Sequence, residues 1–404
     1  LSSAPISPVR LDAPGLLEAK GSRAALGGFF LSGLLLTFLG AILPAWGYHL
    51  NEQYIAIGNY FLALNWGLLL ANRFSTWLLL RRGIRVTLLI ASGSACTALL
   101  YLAWFSPPYA SGWRLAGLFI LGAAVGLLHP TIFQAVSPIY RHNPAGTLNL
   151  AGIFFGLGCL AMALLVWAAY YVYTVPSILI FVAVIPAFFL IGYSRSEYQV
   201  PVLEPRSFDQ TLKDLRSPLA IPFGLLLLFQ FANEWSVAGW LAIFLTQRLG
   251  WSPETALLYL ALYLASLLIG RVVSQAVLPF VSHPKFLFVA VMAAWFGCIV
   301  LSFTDNRFGV ISGILFLGGG FAPIFPLVVE KIGDRFPHSH PVTFQGIFSL
   351  AFTGALLFPA ALGYLARWLG VKSIMAAPLI GTGIVFLLLV IIWIESTFLA
   401  KPRS

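Results

Sequence analysis

"FQFANEWSVAGWLAIFL", residues 229–245, sets Gln230, Asn233 and Glu234 inside an otherwise apolar run. What that carboxylate is for depends on whether the run is a core helix in water or a crossing of a bilayer. The composition decides. Of 404 residues, 60% are hydrophobic and 9% charged, with 12 Trp and 34 Phe. A soluble domain of this size lacks the polar atoms to cover so much apolar surface. A bilayer supplies an apolar solvent instead, so the chain reads as a polytopic membrane protein.

Apolar runs of span length recur twelve times, at 27–50, 54–80, 86–105, 113–139, 147–172, 175–194, 218–246, 253–278, 286–304, 307–333, 342–366 and 373–396. Lipid cannot satisfy backbone polar groups, and no alternating strand pattern suggests a barrel, so each span is predicted to be helical. An even count puts both termini on one side. Short loops and tails on that side carry 16 Lys and Arg, against 5 on the other, with Arg73 and Arg271 inside spans. The excess predicts cytoplasmic termini. It also explains the net charge of +10 as topology, with no nucleic-acid partner. "SRSEYQVPVLEPRSFDQTLKDLRSP" (194–218) carries charges of both signs and divides six spans from six. The expected organisation is a cytoplasmic tail (1–26), a six-helix bundle (27–194), a cytoplasmic linker (195–217), a second bundle (218–396) and a short tail (397–404). The polar, Pro-rich beginning lacks the apolar core of a signal peptide.

The halves look like duplicates. "NR" at 72–73 matches "GR" at 270–271, each before a basic loop. "GLLHPTIF" (126–133) matches "GGFAPIF" (319–325), with Pro130 over Pro323. "GIF" at 152–154 recurs at 346–348. Three matches in order at nearly one offset indicate two parallel repeats, an architecture that places substrate near the midplane between the halves.

Those repeats, with "NPAGTLNLAGIFFGLGCLAMALL" (143–165), "NEWSVAGWLAIFL" (233–245), "FLSGLLLTFLGAILPAW" (30–46) and "GGGFAPIFP" (318–326), resemble the fucose permease-like branch of the major facilitator superfamily. The resemblance covers nearly the whole chain. It implies an all-α fold of 12 transmembrane helices in two six-helix repeats. It further implies import of a sugar-like solute coupled to H+ or Na+, by a monomer in a bacterial inner (plasma) membrane. Two departures stand out. In "TWLLLRRGIR" Thr76 and Leu80 replace the superfamily's Gly and Asp, while Arg81 and Gly83 remain. The branch's namesake also carries carboxylates in spans 1 and 4, whereas here span 1 has no acid and span 4 offers only His129.

Glu234 lies about 24 Å into span 7 at 1.5 Å per residue. A charge there costs at least ~2.5–3.5 kcal/mol on insertion scales, so it must face a cavity or a partner. At 100° per residue Gln230, Asn233 and Glu234 share one face, with Trp240 at its edge. Such a stripe suits sugar hydroxyls and a pyranose face. Alternatively, Glu234 ties span 7 to a neighbour, through Arg271. Arg73 and Arg271, the basic residues deep in spans, are candidates for coupling or gating together with Glu234. His129 precedes Pro130, which frees a carbonyl nearby; a solute ligand and a satisfied structural His are both open readings. Asn65, Asn149, Gln134 and Gln345 are either interhelical glue or members of a polar cavity, which Trp46 and Trp66 would help to line.

Other chemistries find little support. Cys96, Cys159 and Cys298 are scattered through apolar segments and read as small core residues. No Cys or His cluster has metal-ligand spacing, so neither metal nor cofactor is expected. "GIFFGLG" (152–158) follows no strand and is no dinucleotide motif; "GLGC" and "GGG" (318–320) read as close helix contacts. No P-loop is present to use ATP. A secondary carrier of a small polar solute, embedded in membrane lipid, is the reading; drug or lipid efflux is the rival within its class, and a membrane-bound enzyme or non-transporting sensor the rival outside it. The predicted orientation has a direct check. Asp209→Cys should react with an impermeant maleimide in inside-out vesicles and not in intact cells, and labelling in intact cells would reverse the topology.

Overall fold

The computed structural model describes residues 16–47, 53–142, 144–198, 220–335 and 343–399. Among them the regular elements are helices. The first half comprises α1 (Leu16–Trp46), α2 (Tyr54–Trp104), α3 (Ser111–His142), α4 (Pro144–Ala169) and α5 (Val175–Ser194). The second comprises α6 (Ala220–Leu249), α7 (Pro253–Val277), α8 (His283–Phe303), α9 (Arg307–Phe321), α10 (Ile324–Arg335), α11 (Thr343–Leu369) and α12 (Ser373–Leu399). Local sequence starts several of them. Pro253 stands at the head of α7, where its missing N–H costs nothing, and Ser252 caps it by accepting from the Thr255 amide at 3.3 Å. Asn306 caps α9 by accepting from the Gly309 amide at 2.7 Å.

Eleven helical stretches are long and apolar enough to cross a membrane, where the sequence predicts twelve. The difference lies in α2, which joins the predicted spans 54–80 and 86–105 into one 51-residue element. Straight, it would reach about 76 Å, more than twice the ~30 Å hydrocarbon core. It is not straight. Gly83 has φ 77° and ψ 174°, a conformation open to glycine and costly for other residues. There the chain doubles back. Gly67 in the first arm packs on the Phe119 carbonyl of α3, and Leu102 at the far end of the second arm packs on Gly117, half a turn away.

Two more boundaries differ from the sequence reading. α1 begins at Leu16, so the predicted edge of the tail at 26 falls inside it, where Ala25 and Leu26 are buried. The predicted span 307–333 is divided at Ala322 and Pro323 into α9 and α10. Three successive glycines weaken the helix there, and Pro323 removes a donor. Pro130, its proposed counterpart, sits within an uninterrupted α3. Most of the linker, 199–219, lies outside the described residues.

Small residues bring the helices into contact. Gly33 of α1 meets the Phe155 carbonyl of α4, and Gly158 of α4 meets the Phe30 carbonyl of α1. At such crossings van der Waals packing between backbones replaces the hydrophobic drive that lipid removes. Contacts between the halves gather at the end away from residue 16. Gly58 and Gly363 touch backbone to backbone, and Gly40 meets the Ala238 carbonyl. Tyr364 donates its hydroxyl to Asn59 Oδ1 at 2.6 Å. Phe61 stacks on Trp240 with centroids 5.8 Å apart.

Gly83 has open space where a Cβ would go, so a substitution there tests backbone conformation alone. Gly83→Ala should destabilise the protein by about 1–3 kcal/mol. Gly112→Ala, equally uncrowded and without a positive φ, should be nearly neutral. Detergent-solubilised thermal unfolding measures both, and equal shifts would contradict the argument.

Candidate functional site: an ion pair in the seam

Glu234 lies midway along α6, about 22 Å from its Leu249 end. Its Oε1 accepts from Arg271 Nη2 of α7 at 2.8 Å. The side chains keep 13% and 27% of their exposure, so the pair is sheltered without being sealed. It borders a narrow cavity between the halves. Thr37 of α1 and Phe155, Gly156 and Cys159 of α4 line one wall; Trp235 and Ala238 of α6 and Leu264, Leu267 and Leu268 of α7 line the other. Four helices, two from each half, therefore converge on the one carboxylate set deep in a span.

Two buried polar side chains here lack partners. Gln230, one turn before Glu234, is fully buried. It lies beside the carboxylate, yet neither amide atom makes a hydrogen bond of proper geometry. Thr37 is 2% exposed and its hydroxyl is also unpaired. Buried polar atoms are normally satisfied; the Thr37 hydroxyl borders the cavity, whereas Gln230 is not among its lining residues.

The rest of the predicted stripe divides. Asn233 turns toward α12, donating from Nδ2 to Thr382 Oγ1 at 3.2 Å and packing on Gly381. Trp240 is fully buried and donates from Nε1 to the Pro359 carbonyl at 2.8 Å. These two bind α6 to α12 and α11 and do not border the cavity. Asn65 donates its amide to the Leu356 carbonyl of α11, bridging the halves. His129 accepts or donates at Nδ1 with Ser32 Oγ at 2.8 Å. Phe29, Phe133 and Phe155 of its own half and Phe352 of the other surround its ring, with centroids 5.4–6.4 Å away. Gln134 and Asn149 are half-buried, and Arg73 is exposed. The Gln345 side chain lies outside the described residues. Trp46 is completely buried under the Arg114 guanidinium, 5.5 Å from its ring, and Trp66 is 57% exposed; neither lines the cavity. Thr37, Cys159 and Trp235 escaped the sequence reading. Only Trp235 left a signal, since it follows Glu234 directly.

No family model matches the chain. Over 356 residues it is 22% identical to an uncharacterised MFS-type transporter of Yersinia pestis, covering 88% of this chain and 90% of the relative. Among solved structures, a POT family transporter in complex with a thioalcohol-conjugated peptide superposes with a TM-score of 0.73 at 13% identity, covering 95% of this chain and 97% of that one. The fold is that of a transporter. The xylose transporter XylE from E. coli, partially occluded and inward open, gives 0.68 at 13% identity, covering 93% and 99%. The nucleoside transporter NupG gives 0.67 at 13%, covering 96% and 100%. The protein is thus an integral membrane homologue of an MFS-type transporter.

Removing one partner of the ion pair strands the other. Arg271→Met should cost about 2–3 kcal/mol, below the ~3–5 of a fully buried pair because both groups keep some exposure. Adding Glu234→Gln should restore most of that stability. Thermal unfolding of the single and double variants decides, and additive losses would show that the pairing is not what holds either residue.

Proposed function

We propose that the protein is a secondary transporter of the major facilitator superfamily, on its fucose permease-like branch, that moves a small sugar-like solute by alternating access. The observation that carries the reading is the seam itself, where an ion pair and the unpaired Thr37 hydroxyl face one cavity between halves, with the buried Gln230 amide beside the carboxylate. A polyhydroxylated solute supplies both donors and acceptors to such groups, and Trp235 offers a face for a sugar ring. A ligand lacking those hydroxyls leaves the groups unpaired, which is how such a site discriminates. The solutes named for the structural neighbours, xylose, nucleosides and a peptide conjugate, are polar, in keeping with this.

On this reading the arms of α2 are separate spans, making twelve in two six-helix repeats. The termini and the 195–217 linker are cytoplasmic, in a bacterial inner membrane, and the monomer is the working unit. Glu234 and Arg271 bind the solute or couple its movement to H+ or Na+. Arg73, exposed in the first half, contributes to gating. Gln230 completes the polar side of the site. The contacts made by Asn233, Trp240 and Asn65 favour supporting roles, and His129 borders the path through its Phe352 contact.

A second reading rests on the lining. Phe155, Trp235, Ala238, Leu264, Leu267 and Leu268 are apolar, which suits efflux of an amphipathic compound. Proteoliposomes separate the two. Carriage of monosaccharides or nucleosides supports the first reading; transport of hydroxyl-poor aromatic cations alone supports the second. In the first case Glu234→Gln distinguishes binding from coupling. If the carboxylate carries the coupling proton, uphill uptake should vanish while solute exchange survives. If it only binds, affinity should fall in both modes. Wild-type uptake and affinity in both Glu234→Gln and Glu234→Ala would remove Glu234 from the site.

A further inference from the structure

The Thr37 hydroxyl departs from a pattern that several hydroxyls of the bundle follow. A helical Ser or Thr commonly settles its hydroxyl on the carbonyl four residues back. Thr131 does so on Leu127 at 2.6 Å, Thr246 on Ala242 at 2.9 Å, Ser302 on Cys298 at 2.7 Å and Thr382 on Pro378 at 2.7 Å. The corresponding acceptor for Thr37 is the Gly33 carbonyl. That carbonyl instead accepts from Cys159 Sγ of α4 at 3.4 Å. The thiol reaches it because Gly33 and Gly158 let the α1 and α4 backbones touch. The Cys159 thiol also interacts with the Thr37 side chain, a weak partner, and the Thr37 hydroxyl makes no hydrogen bond of proper geometry. It is 2% exposed and borders the seam cavity opposite Glu234 and Arg271.

We infer that Thr37 is the first half's specificity-determining ligand: its hydroxyl donates to a hydroxyl oxygen of the solute, which Glu234 and Arg271 engage from the second half. The inference deepens the sugar-like reading above and rests on it. The chemistry follows from the groups. Glu234 accepts, and Arg271 and Thr37 donate. A neutral hydroxyl, both donor and acceptor, can satisfy a carboxylate and a threonine together. An apolar solute satisfies neither. Because Thr37 and Glu234 belong to different halves, one solute touching both bridges the surfaces that must move past each other. Cys159 is a positioning residue, since it occupies the carbonyl to which Thr37 would otherwise turn.

The test uses the full chain in proteoliposomes. Wild-type protein is first screened with radiolabelled D-hexoses, D-pentoses and ribonucleosides, and the best-transported compound is then compared with its monodeoxy analogues. Thr37→Val keeps the shape and removes the oxygen; Thr37→Ser keeps the oxygen. Thr37→Val should raise KM about five- to tenfold, the worth of one neutral hydrogen bond, and Thr37→Ser should stay within about twofold. One monodeoxy analogue should bind wild type and Thr37→Val equally, because it lacks the hydroxyl that Thr37 contacts. A purely structural Thr37 would weaken all analogues alike, and that result overturns the inference. So does an unchanged KM in Thr37→Val, which would leave water as the hydroxyl's partner. If wild type carries none of these compounds, the sugar-like reading fails first and the inference falls with it.

Discussion

A charge in the middle of a bilayer has to be matched or wetted, and the bundle arranges both for Glu234. Arg271 reaches it at 2.8 Å, and the cavity between the halves keeps each partner partly exposed. Full burial would demand that every lone pair and donor be satisfied within the protein, since desolvation can exceed the attraction of the two charges. Here the second condition is relaxed. The pair borders the seam, so its exposed parts face the space between halves. The unpaired hydroxyl of Thr37 and amide of Gln230 belong to the same arrangement.

The halves treat their cations differently, despite the sequence matches between them. Arg271 lies about 27 Å along α7 and Arg73 about 28 Å along α2, a similar depth. Yet the membrane-length stretch of α1, Gly21–Trp46, contains no carboxylate, and Arg73 is exposed without an ion pair among the described residues. One arginine is thus paired and the other exposed. The neutralised one fixes α7 against α6 and gives the site a defined shape.

Much of this was legible in the sequence, and the legible part has a physical signature. Composition implied the membrane, since no packing rule hides 60% hydrophobic residues in water. Helix arithmetic placed Glu234 at mid-depth and offered Arg271 as its tie, because few charges occur so deep. Direction was harder to read. Asn233, Gln230 and Glu234 share a face over a full turn, but the face is wide enough for Asn233 to meet Thr382 while Glu234 meets Arg271. Trp240 looked like a stacking platform. Its indole N–H instead found the carbonyl of Pro359, inside a helix where proline disturbs the backbone ladder. Thr37 was invisible, because nothing in a sequence says which hydroxyl will find its usual acceptor occupied. Gly83 was visible as a loop glycine, though the sequence did not reveal that one residue makes the whole turn.

The far-end contacts between halves bear on how such a molecule can move. Glycine-to-glycine contact at Gly58 and Gly363 joins the halves without interlocking side chains. The hydrogen bonds from Tyr364 to Asn59 and from Asn65 to Leu356 are single and neutral, each of modest net worth because water or another polar group can replace the partner. Phe61 and Trp240 meet with their rings 24° from parallel, a contact that separates without stranding a charge, since the Trp240 N–H is held within its own half. Inside each half the helices cross at close-packed backbones, as α1 and α4 do at Gly33 and Gly158, where a small shift produces a clash. Backbones approach closely between the halves too, at Gly40 and Ala238 and at Gly58 and Gly363, while the hydrogen bonds from Tyr364 and Asn65 that join the halves are neutral. The Glu234–Arg271 pair lies wholly in the second half. Opening the far end need not separate the two charges, and the site can travel intact while the first half, with Thr37, moves relative to it.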